Sequence, residues 1–258
     1  MKSVDCLNCG HPCRHNYCEI CGQKTSIHRF SMGHVITHDY LHQVFHYDKG
    51  IFYTVKELTI RPGHSIREYI QGKRVKHFNY LGLLIILFGL GHILYESPIL
   101  HEVGRPVSSE SYSFITWMDK YVTAYPKLFK LAQIPVFALV TWLMFKRAGL
   151  NFAEHIVLNA YITAYMFIVG FLCELIIVIS NDINLIDPIH TFNSFLWVIY
   201  GTIFYYQFFS AYSYKKSGVL VRSLVATFSA MITVTLLLMG VYAVVTHASA
   251  DSIRGLFK

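Results

Sequence analysis

Apolar residues are unevenly spread along this chain. The first 79 positions interleave charged, polar and aromatic residues, and beyond them stand five long apolar runs. These are Tyr80 to Tyr95, Leu128 to Phe145, His155 to Ser180, Phe192 to Tyr212 and Val219 to Thr246. A helix needs about 20 residues to cross about 30 Å of hydrocarbon, so the runs predict five membrane-spanning helices. The first is short, and the third and fifth are long enough to tilt or protrude. If the first were only re-entrant or interfacial, every later orientation would be reassigned. Pro135 predicts a kink in the second. The composition agrees, with 54% hydrophobic and 14% charged residues against about 25% charged in soluble domains. The fold class expected is therefore an all-α polytopic membrane protein.

Residues 28–79 have a different pattern. Ser31 can cap a helix running to about His46, Gly50 to Ile60 predicts a second, and Arg61-Pro62-Gly63 breaks it. His64 to Gln71 predicts a third, with Gly72 as its C-terminal stop. Short basic helices with aromatic residues either lie along the headgroup region or pack as a cap on the helix bundle. His34, His38, His42 and His46 recur every four positions. Each step drifts about 40°, so they form a stripe about 18 Å long that cannot serve a single ion. Neighbouring pairs have chelating geometry. The stripe therefore reads as a polar interfacial face, a second metal or haem site, or a pH-responsive surface.

Charge sets the direction of threading. No apolar run in the first 79 residues is long enough for a signal peptide, which keeps the N-terminus on the side of synthesis. The cytoplasmic side then receives Arg67, Lys73, Arg74, Lys76, Lys146, Arg147, Lys215, Lys216 and Arg222. The N-terminus is expected inside and the C-terminus outside. The net charge of +7 follows from this bias and from attraction to anionic lipids, and nucleic acid is not required to explain it.

The N-terminal segment carries the strongest chemical signal. Cys6-x-x-Cys9-Gly10 and Cys18-x-x-Cys21-Gly22 present four thiolates on two tight turns, the ligand set of a structural Zn2+ site. In an oxidising compartment the same cysteines could pair as disulfides. Cys13, His11 and His15 stand close enough in sequence to replace a ligand, but only the four paired cysteines repeat the spacing. Cys173 reads as a small apolar filler. The domain plan is a cytosolic zinc ribbon over 1–27, juxtamembrane helices over 28–79, the five-helix part over 80–247 and a short external tail over 248–258.

Cys-x-Asn-Cys-Gly at 6–10, Tyr-Cys-x-x-Cys-Gly-Gln at 17–23, Asp48-Lys49-Gly50, Thr54, Leu58, Arg61-Pro62-Gly63 and Tyr69-Ile70-x-Gly72-Lys73-Arg74 together resemble the domain of unknown function 3667 family. These are uncharacterised zinc-ribbon membrane proteins of bacteria. The resemblance covers about residues 5–80. It implies zinc and a bacterial inner membrane, and it carries no activity.

Polar groups within the apolar runs complete the reading. Glu174 lies inside the third run, with His92 in the first and His190 before the fourth. Glu174 and His92 can neutralise one another, the three can line a polar entrance, or Glu174 can snorkel or protonate. Glu154, Asn159 and Gln207 form a possible second cluster near the cytoplasmic side. Three functions fit: a binding, regulatory or scaffold component with a protein partner at the ribbon; a transporter or channel component; or a membrane enzyme acting on lipid or using haem. A four-thiolate site is closed to substrate and favours the first. No hydrolase, metalloprotease, phosphate-loop or dinucleotide motif is present. For nucleic acid the ribbon offers only Arg14 and Lys24 with Tyr17.

Overall fold

The computed structural model describes residues 4–33, 50–103 and 126–256. A two-stranded antiparallel ladder, β1 (Val4–Asp5) with β2 (Pro12–Cys13), opens the knuckle. Two short helices follow, α1 (Gly50–Ile60) and α2 (Pro62–Ile70). The apolar runs form α3 (Tyr80–Tyr95), α5 (Pro126–Met144), α6 (Phe152–Ser180), α7 (Ile186–Phe209) and α8 (Lys216–Leu256), with α4 (Pro98–Val103) after α3. His34, His38, His42 and His46 lie outside the described residues.

Local chemistry sets the helix ends. The Asn79 side chain accepts from the Leu81 amide and starts α3. A reciprocal capping box between Asn151 and Glu154 starts α6, and Asn181 ends it in the left-handed region at φ 50°. Pro62 occupies the first turn of α2, where its missing N–H costs nothing. At the other end Gly72 turns left-handed at φ 112°. There the Gly72 and Lys73 amides donate back to the Tyr69 and Glu68 carbonyls, a Schellman closure.

Central to the bundle is α6, which packs against α3, α5 and α7, while α8 closes over α5 and α7. The tight core occupies one end only. Tyr80, Phe145, Tyr161, Phe204, Tyr205, Phe208 and Phe209 are fully buried there, with Phe145 and Phe209 stacked at 3.7 Å. A polar network ties α5, α6 and α7. Tyr205 donates to Asn159 at 2.7 Å, Asn159 donates to Thr141 at 3.0 Å, and His155 Nδ1 lies 3.0 Å from the same hydroxyl. Toward the other end large apolar side chains face outward, including Ile93, Leu172, Ile176, Ile179, Phe195 and Leu236.

Of the two arrangements expected for the helices of residues 28–79, α1 and α2 adopt the packed one. Pro62, Gly63, Ser65, Ile66, Tyr69 and Ile70 of α2 are buried. Arg67 donates to the Gln207 and Phe208 carbonyls at 2.8 and 2.9 Å, satisfying the last turn of α7. The loop into α3 is held by Thr54, which accepts from the Phe78 amide, and by the Tyr161 hydroxyl, which donates to the Phe78 carbonyl, both at 2.7 Å.

Each of the five apolar runs expected to span forms a helix, but five spans are not confirmed. Among the described residues Phe152–Ser180 and Lys216–Ala243 are long and apolar enough to cross a membrane. Tyr80–Leu94 and Lys130–Met144 are apolar but shorter. In α7 the length suffices, and Asp187, His190, Asn193, Ser194 and Gln207 dilute its apolar character. Helix α8 continues through the segment expected as a tail, as far as Leu256.

Helix α2 crosses α7 at Gly63, where a Cβ would stand 2.3 Å from the Phe204 carbonyl oxygen and 2.4 Å from the Phe208 nitrogen. Backbone cannot yield as a side chain can. Gly63→Ala should therefore destabilise the detergent-solubilised protein by about 1–3 kcal/mol, read as a lower thermal midpoint. Gly89→Ala, where a Cβ meets nothing within 4 Å, should leave the midpoint unchanged or raise it.

Candidate metal centre

The two Cys-x-x-Cys-Gly units fold into near-identical turns. The Gly10 amide donates to the Cys6 carbonyl and the Gly22 amide to the Cys18 carbonyl, each at 2.8 Å. Cys6 and Cys18 in turn donate to the His11 and Gln23 carbonyls at 2.9 and 2.8 Å. Both glycines sit at positive φ, 76° and 72°, a backbone region that side chains rarely adopt. The β1–β2 ladder closes the first turn, and an isolated bridge between Tyr17 and Lys24 closes the second.

This fold brings Cys6, Cys9, Cys18 and Cys21 together, with all four sulfurs within 4.8 Å of one another. The Cys6–Cys21 and Cys9–Cys18 sulfur pairs are each 3.5 Å apart. A tetrahedral ion with bonds of about 2.3 Å to sulfur needs sulfur–sulfur edges of about 3.8 Å, so the cluster fits such an ion with small adjustments. Electrostatics within the cluster point the same way. The Cys21 amide lowers the Cys18 thiol against its burial, and with the Ile20 amide holds it at about 6. Against the pull of the His11 amide, burial and the Cys18, Cys21 and Cys6 sulfurs push Cys9 up to about 12. Adjacent thiolates repel, and a cation among them relieves that repulsion. Cys13 is buried outside the set, with its thiol donating to the His11 carbonyl at 3.3 Å. His11 and His15 are also outside it; His15 faces Glu19 at 3.6 Å.

The knuckle is seated on α2 and the start of α6. Its Leu7 side chain lies over Gly72, where a Cβ would come within 2.6 Å of Leu7 Cδ1. Gln23 accepts from the Arg74 amide at 3.1 Å. The Arg74 guanidinium lies 3.9 Å above the Phe30 ring and donates to the His28 carbonyl at 3.3 Å. Phe30 is buried and stacks on Tyr69. Arg29 grips both Glu154 oxygens at 2.6 and 2.7 Å and the Gly149 carbonyl at 2.7 Å. Asn151 donates to the Phe30 carbonyl at 2.7 Å. Glu154 is 3% exposed and Arg29 58%, and this partnership raises the Arg29 pKa. The chain from 23 to 30 is thus a strap held at both ends.

The other candidate groups are dispersed. His92 lies 3.6 Å from Glu96, the residue that caps its own helix. The charged neighbours acting on half-buried Glu174 are Lys130 of α5 and exposed His190 of α7. Glu154, Asn159 and Gln207 have separate partners: Arg29, Tyr205 with Thr141, and the Gly63 amide. Sequence reasoning missed Leu7, Gln23, Arg29 and Phe30 as docking residues. Only the apolar character of Leu7 and Phe30 in a polar segment hinted at a buried face.

If Gly72 seats the knuckle, Gly72→Ala should detach it through both the Leu7 contact and the left-handed backbone. Limited proteolysis should then cut within residues 23–33 several-fold faster than in wild type, with the helices unaffected.

No curated protein and no solved structure matches the chain. The segment that does match is the docking seat itself, from just before α1 into α3. Residues 48–90 match the family described as Protein of unknown function (DUF3667).

Proposed function

We propose that this chain is a multi-pass bacterial inner-membrane protein whose cytoplasmic zinc ribbon is a binding or regulatory module seated on the membrane bundle. The observation that carries the reading is the seat: Leu7 on Gly72 and Gln23 on the Arg74 amide join the sulfur cluster to α2, and α2 to α7. Metal-dependent folding of the knuckle is thereby linked to the helices. A site with four protein ligands keeps no open position for substrate, which supports a structural ion and a binding role over catalysis. Membrane residence is supported by the two helices that are long and apolar enough to cross and by the outward-facing apolar side chains on α3, α6, α7 and α8. The cytoplasmic N-terminus is supported by Lys73, Arg74, Lys146, Arg147, Lys215 and Lys216, which all flank the knuckle-bearing end of the helices. A protein partner would meet the exposed side of the ribbon, where Val4, Tyr17 and Ile20 face outward. A transporter component is the second reading, favoured by Lys130 and His190, which act electrostatically on Glu174 from two other helices.

Metal analysis of the purified chain should find about one zinc per chain. Cys9→Ser should release it and Cys13→Ser should retain it; full zinc in the Cys9 variant would refute the ligand set. Without metal the knuckle should unfold while the helices stay inserted, because a segment this small lacks an apolar core of its own.

Orientation has an independent test. A reporter active only in the cytoplasm should function when fused before Met1 and fail after Lys258. Activity at both ends would mean an even number of crossings, with Tyr80–Tyr95 the segment that does not cross.

A further inference from the structure

Between the knuckle, the strap, the end of α2 and the turn joining α5 to α6 lies an open-mouthed cavity of about 400 Å³. That is the size of a small-molecule site and far more than a single water occupies. Its walls are of two kinds. Leu7, Ile70 and Ala148 supply apolar surface, while Arg29, Arg74 and Glu154 supply charge.

The charges do not cancel. Both Glu154 oxygens are taken by Arg29, and among the described residues no carboxylate pairs with Arg74. The Arg74 guanidinium instead makes long bonds of 3.3 Å to the Tyr69 and His28 carbonyls and lies on the Phe30 ring. Two guanidiniums against one carboxylate leave one positive charge beside an apolar wall. Guanidinium donors match phosphate oxygens better than any other side chain does. Lys146 and Arg147 on the adjoining turn add to the same field.

We propose that this cavity binds one phosphate-bearing anion, and that the headgroup of an anionic membrane lipid is the form that fills both its walls. The position supports the lipid source, because the cavity lies at the end of the bundle where the helices emerge and basic residues gather. An occupant would touch the knuckle through Leu7, the strap through Arg29, the cap through Arg74 and the bundle through Ala148. Binding would therefore hold the knuckle down on the bundle and make its seating responsive to lipid. This rests on the seated-ribbon reading above.

The test uses the full chain purified in neutral detergent. Native mass spectrometry counts retained phosphatidylglycerol against phosphatidylcholine, and thermal unfolding is followed with each lipid and with inorganic phosphate. Wild type should retain one phosphatidylglycerol per chain and unfold at a higher temperature with it than with phosphatidylcholine. Ala148→Trp, which fills the cavity and leaves every charge in place, and Arg74→Gln should each weaken retention at least about tenfold. Ala148→Trp should keep its zinc and its lipid-free unfolding midpoint, which separates ligand loss from misfolding. Protection of wild type by inorganic phosphate as strong as by the lipid, absent in both variants, upholds the anion site and assigns it to a soluble phosphate. Equal lipid retention by wild type and Ala148→Trp, or no difference among the three additions, overturns the proposal. Proteolysis of the strap in lipid-free wild type judges the seated ribbon separately. A protected strap without lipid selectivity sinks only the cavity site, whereas an unprotected strap sinks the seating reading beneath it.

Discussion

The crossing of α2 over α7 is the contact on which the rest of the knuckle-bearing end depends. Gly63 has no side chain, so the two backbones meet directly. The α2 amide at Gly63 then reaches the Gln207 side chain at 3.2 Å, and Arg67 reaches the last carbonyls of α7. That contact fixes where α2 ends, and the end of α2 is the seat. Gly72 turns left-handed there and leaves room for Leu7, and Arg74 emerges beside Phe30. A shift of α2 by one side chain's width would move all of these together.

The molecule separates two solvation regimes along its length. At the knuckle end, aromatic rings, a hydrogen-bonded network and paired charges fill the space between helices, as in a water-soluble core. At the other end the same helices turn leucine, isoleucine and phenylalanine outward, which in water would be an unprotected apolar surface and in lipid is the favourable one. The paired charge of Arg29 and Glu154 sits at the knuckle end, in the first turn of α6. One partner is buried and the other largely exposed, so removing Arg29 would leave a buried carboxylate without its counter-charge.

The knuckle shows a parallel economy. Each half uses a left-handed glycine so that amides turn toward sulfur, and the four sulfurs come close enough to hold a metal ion. Because Leu7 and Gln23 belong to the same turns as the ligands, anything that opens the cluster also disturbs the seat. The sulfur cluster and the docking contacts are in this sense one structural unit.

Much of this was legible from the residues. The Cys-x-x-Cys spacing identified the four clustered sulfurs, because ligand turns are local. Glycine and proline marked the ends of α1 and α2, and α3 begins and ends where its apolar run does. The family-like residues proved to be packing positions, with Thr54 on Phe78, Leu58 in the core and Gly63 on α7. The rest depended on residues far apart in the chain. Nothing in sequence joins Arg29 to Glu154, or makes Lys130 and His190 the charged neighbours that act on Glu174. A local pattern determines helices, turns and a chelating loop, since each is a matter of neighbouring backbone geometry. Which side chain meets which across 120 positions is decided only when the helices pack, because that choice belongs to the shapes of surfaces that no short segment contains.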